Sequence, residues 1–76
     1  MNKMARQRVF SEVLVKLISA YKDVECLLEE EQEMLKNVEE YFPGSERNKE
    51  LDKTTLELAG CIGLLHETIF SLKRIQ

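Results

Sequence analysis

Phe42-Pro43-Gly44-Ser45 is the only place in the sequence where breaker residues sit together, and it divides the chain into two long stretches. Proline has no amide donor and disfavours helix at the residue before it. Glycine readily takes the left-handed conformation that closes a helix end. Ser45 follows as an N-cap, its hydroxyl placed to accept from amides of the next first turn that would otherwise lack a partner. These four residues predict a helix, a tight turn and a second helix.

Working back from the turn, apolar residues recur at Phe10, Leu14, Leu17, Tyr21, Val24, Leu28, Leu35, Val38 and Phe42, in alternating steps of four and three, with Glu31 as the one break. Working forward, the same alternation runs through Leu51, Thr55, Leu58, Ile62, Leu65, Ile69 and Leu72. A 3.5-residue repeat sustained this long is the seam of packed, coiled-coil-like helices. The fold class is therefore all-α: an antiparallel helical hairpin in one domain spanning 1–76, with helices near 5–41 and 46–74 and a turn at 42–45. At 1.5 Å per residue these helices are about 55 and 43 Å long. So short a connection forces them antiparallel, and residues whose numbers sum to about 88 lie level with each other.

One seam does not use all the apolar rows. Beside it on the first helix runs Val13, Ala20, Leu27, Met34 and Tyr41, spaced by seven, and the second helix carries Leu56, Gly60, Gly63, Leu64 and Phe70 off its own seam. Two helices cannot cover both sets, so these ten residues are the candidate partner-binding surface. Spacing alone leaves open whether each row meets a second copy or a different protein. Gly60 and Gly63 lie one turn apart inside a helix, at about 1 kcal/mol each relative to alanine, and with Ala59 they make a small-residue surface that another helix backbone can approach closely.

The balance of the chain excludes several function classes. At 76 residues with 33% charged and 43% apolar side chains it is one small unit, too short for most enzymes. Chains of this size generally need a disulfide, a metal or a partner to complete their core. The net charge of −3 argues against nucleic acid, which needs a basic stripe. Charge is nonetheless uneven. Residues 1–22 hold five basic and one acidic side chain, residues 23–42 one basic and eight acidic, and the remainder balances. Glu29, Glu30, Glu31 and Glu33 form either a solvated face or a patch that steers a basic partner.

The longest uninterrupted run without a charge or strongly polar residue, Leu58 to Leu65, stops at eight, short of the roughly 18 needed to cross a bilayer. Lys3, Arg6 and Arg8 resemble the start of a signal peptide, but Glu12 and Lys16 interrupt any apolar segment after them. A cytosolic location without membrane contact is expected.

Cys26 and Cys61 lack metal-ligand spacing, and adding His66 leaves zinc a ligand short, so no metal and no cofactor is expected. Cys26 is level with the neighbour of Cys61 but falls on the outermost row of its helix, which argues against a disulfide. Nucleophile, base and oxyanion donor must converge on a pocket, and the sequence offers no such set and no glycine-rich phosphate loop. The expectation is a protein without catalytic activity.

The run Leu58-Ala59-Gly60-Cys61-Ile62-Gly63-Leu64-Leu65 resembles the second-helix segment of the small E-type (YscE/PscE-like) co-chaperones of bacterial type III secretion. Leu58, Gly60, Ile62, Gly63, Leu64 and Leu65 carry the likeness, and His66, Leu72 and Lys73 extend it. The first helix is longer than that family's, and Pro43-Gly44 stands at a differently composed turn. The resemblance implies a cytosolic hairpin that forms a heterodimer with a larger helical-repeat chaperone, the pair keeping a needle subunit soluble before export. From the residues alone, the competing expectation is a self-associating helical regulator or inhibitor that binds a target protein, with a homodimer when the chain is alone.

Overall fold

The computed structural model describes residues 2–76 and consists of two helices, α1 over Lys3–Tyr41 and α2 over Glu46–Ile75, packed against each other as a hairpin 59 Å long and about 15 Å in its other dimensions. Each helix begins with a side-chain cap. Ala5 N–H donates to Asn2 Oδ1 at 2.8 Å, and Asn48 N–H donates to Ser45 Oγ at 3.1 Å. The Ser45 cap was legible from the turn. Asn2 is the equivalent signal at the other start, and it lets α1 begin two residues earlier than the apolar repeat indicates.

Between the helices the chain reverses within four residues. Phe42 N–H donates to the Val38 carbonyl at 2.7 Å and closes α1, and Ser45 N–H donates to the Phe42 carbonyl at 3.3 Å. Gly44 has φ of 75°, the left-handed region in which a Cβ is strained. This geometry corrects one expectation. Phe42 continues the spacing of the seam in sequence, yet it has left the helix, with φ −139° and ψ 60°, and its ring is 68% exposed. Helical periodicity predicts a residue's direction only while the residue is helical.

The rest of the seam is where the repeat placed it. Leu14, Leu51 and Ile69 are buried, and Phe10, Leu17, Tyr21, Val24, Leu28, Leu35, Val38, Leu58, Ile62, Leu65 and Leu72 are half-buried. Thr55 sits on this seam at little cost because its hydroxyl donates to the Leu51 carbonyl at 2.7 Å, inside its own helix. Tyr21 and His66 meet across the hairpin with ring centroids 6.3 Å apart. Their numbers sum to 87, as the level rule for this turn requires. Among the described residues three apolar side chains are buried, because two cylinders in contact hide one stripe each and leave the shoulders in water.

The helices differ at their ends. α2 has Glu46 in its first turn and Lys73 and Arg74 in its last, in accord with the helix dipole. α1 has no acidic residue in its first turn and no basic residue in its last, and its overall charge gradient opposes the dipole.

Candidate interaction faces

Two apolar rows lie off the seam, and they occupy different positions relative to it. On α1, Val13, Ala20, Leu27, Met34 and Tyr41 each immediately precede a seam position (Leu14, Tyr21, Leu28, Leu35 and Phe42), which makes the row the shoulder of the hairpin. Ala20 is half-buried, and Val13, Met34 and Leu27 are 39%, 43% and 50% exposed. Tyr41, next to the turn, is fully on the surface. Met34 has company across the hairpin, since Arg47 Nη2 donates to its Sδ at 3.6 Å. No spacing rule reports that contact, because it depends on the reach of a long flexible side chain from the first turn of α2.

The α2 residues point the other way. At about 100° of rotation per residue, Leu56, Gly60, Gly63 and Leu64 project roughly 120–180° from the seam line through Leu51 and Ile69. Leu56 and Leu64 are 68% and 66% exposed, and Gly60 and Gly63 are exposed with them. Phe70 lies at the edge of the strip, its ring partly covered by the Arg74 guanidinium at 5.4 Å. A Cβ placed on Gly60 or Gly63 meets nothing within 4 Å. Neither glycine serves the hairpin's own packing, so the helix propensity they forfeit is not offset within this chain.

The strip has a second consequence. By length and composition α2 is apolar enough to cross a membrane, its most apolar 18-residue window averaging a hydropathy of 1.2. An unbroken-run criterion does not reveal this, because Glu57, His66 and Glu67 interrupt the runs. The average is high because α2 is apolar on two faces, the seam and the strip.

The surface offers little concavity. One open depression on α2 is lined by His66, Glu67, Phe70, Ser71 and Arg74, and one on α1 by Arg8, Ser11, Glu12, Val15 and Lys16. Val15, 68% exposed, belongs to neither row and lines a further shallow depression with Ile18. Both cysteines are free and exposed, on outward positions. Among the described residues no three His, Cys, Asp or Glu side chains gather as a metal site. Charges are mostly unpaired, the one ion pair among the described residues being Lys49 with Glu46 at 3.8 Å.

Comparison of this chain with protein-family models, curated proteins and solved structures finds no match.

Proposed function

We propose that this hairpin works by binding rather than catalysis, and that the outer strip of α2 receives a helix of a partner protein. The observation that carries this reading is the open space over Gly60 and Gly63 between two largely exposed leucines, Leu56 and Leu64. Glycines inside a helix let a neighbouring backbone come close, and the flanking leucines supply the apolar area that makes such a contact favourable, at roughly 25 cal/mol per Å² removed from water. A helix is the occupant that fits a straight strip of this kind, because it presents its own side chains at matching intervals.

The most specific form of the proposal is a cytosolic co-chaperone of type III secretion. It rests on the likeness of Leu58 to Leu65 to the E-type co-chaperones. In this form the hairpin pairs with a larger helical-repeat chaperone, and the pair holds a needle subunit soluble before export. Masking is the physical logic, since a subunit that polymerises through amphipathic helices stays monomeric only while those helices are covered. Purification of a tagged copy from its native cytosol, with mass spectrometry of what accompanies it, tests this form. A helical-repeat chaperone together with a small needle-like subunit is the expected result. Recovery of an unrelated enzyme instead replaces it with the inhibitor reading.

A further inference from the structure

The α1 shoulder is independent of the α2 strip, and its occupant is written in its charges. We infer that Val13, Ala20, Leu27 and Met34 form the interface of a homodimer, in which α1 of a second copy lies antiparallel on this row and the two hairpins complete a four-helix bundle.

Two observations converge on that occupant. First, the seam plus the residue before each of its tightly spaced positions gives α1 three apolar positions in every seven, the pattern of a helix in a bundle core rather than of a two-helix seam. The hairpin covers two of the three, and the third stands half-exposed. Second, α1 is polarised, with net +4 over residues 1–22 and −7 over residues 23–42 from the counts of five basic and one acidic, then one basic and eight acidic. A parallel neighbour would set like halves together. An antiparallel copy sets the basic half of each chain against the acidic half of the other, and so gives a purpose to a gradient that opposes the helix dipole.

The row itself sets the register. When residues whose numbers sum to about 47 lie level, Ala20 faces Leu27 of the other copy and Val13 faces Met34, each a smaller side chain against a larger one. Lys16 and Glu30 flank the row on the same side, so an antiparallel copy brings Lys16 of each chain within about one residue of level with Glu30 of the other. Asp23 approaches its own counterpart beside the two-fold axis. The outer strip of α2 stays free in this dimer, which leaves the bundle able to hold a partner on each side.

Sedimentation equilibrium of the full chain tests the inference. The wild type is expected at twice its 8.9 kDa mass. Leu27→Glu is expected at the single-chain mass with its helical circular dichroism retained, because residue 27 is half in water in the hairpin. Lys16→Glu is expected to weaken the dimer about tenfold, through two symmetry-related charge pairs, and adding Glu30→Lys in the same chain to restore it. A monomeric wild type overturns the dimer. A dimer that survives Leu27→Glu but is lost on Leu56→Glu moves the interface to α2. Failure of Glu30→Lys to rescue Lys16→Glu overturns the antiparallel register, and this pair of variants reads out even if the Leu27 substitution impairs folding.

Discussion

The two faces of α2 carry similar apolar side chains and meet opposite fates. Leu51 on the seam is 3% exposed, whereas Leu56, five residues on, is 68% exposed. The difference comes from rotation about the helix axis alone, since five residues at about 100° each bring a side chain some 140° around the cylinder. Burial is what turns an apolar residue into stabilisation, so the same residue type holds the hairpin together on one face and costs it solubility on the other. On the function proposed above, the exposed strip is kept for a partner outside the fold. The shoulder of α1 stands between these extremes, half-covered by its own hairpin.

Substitution can sharpen this contrast, and the largest effect is expected on the seam. Leu51→Ala should destabilise the hairpin by about 3 kcal/mol, the usual range for emptying a buried leucine site, read as a shift in the urea midpoint of the helical signal. If Leu51→Ala costs no more than Leu56→Ala, the seam does not hold the helices together. Gly63→Ala acts in the opposite sense. With open space at its Cβ position and ordinary helical backbone, alanine should raise the stability of the chain by up to about 1 kcal/mol in thermal melts. A loss of stability at this position would mean that the glycine serves packing within the hairpin.

Smaller effects follow from the unlike helix ends. Glu40→Lys replaces an acidic side chain next to the C-terminus of α1 and should stabilise by about 0.5 kcal/mol at low salt, with the gain shrinking as salt is added. The equivalent reversal on α2, Lys73→Glu, should destabilise by a similar amount, because there the native charge already agrees with the dipole. Equal signs for the two reversals would show that local pairing outweighs the dipole. Leu56→Ala should be the least felt in the isolated chain, within about 0.5 kcal/mol, since little of the side chain leaves water on folding.

How much of this was legible in the residues depends on what kind of interaction fixed each feature. The hairpin and its seam were, because Pro43-Gly44 punctuates the chain once and a repeat that alternates threes and fours has one solution in three dimensions. The fate of Phe42 was not, because it is decided by turn dihedrals that end the periodicity one residue before the pattern does. The contact of Arg47 with Met34 was not, because a long side chain can reach several neighbours and the choice among them is tertiary. Both outer rows could be located from spacing. The emptiness over Gly60 and Gly63 could not, since the same two glycines would be needed if the hairpin's own helices crossed closely there. An apolar row can be located from spacing, but spacing does not name what would cover it.

The central claim is that the outer strip of α2 binds a partner while contributing nothing to the fold. Its most direct test is a side-by-side purification of tagged wild type and Gly63→Leu from the native cytosol, each checked for helical content and mass, with the bound proteins quantified. The account predicts equal helicity and mass in the two samples, and a helical partner retained by the wild type and lost from Gly63→Leu. Equal recovery of the same partner by both would contradict it, and would remove the glycine strip from the binding surface.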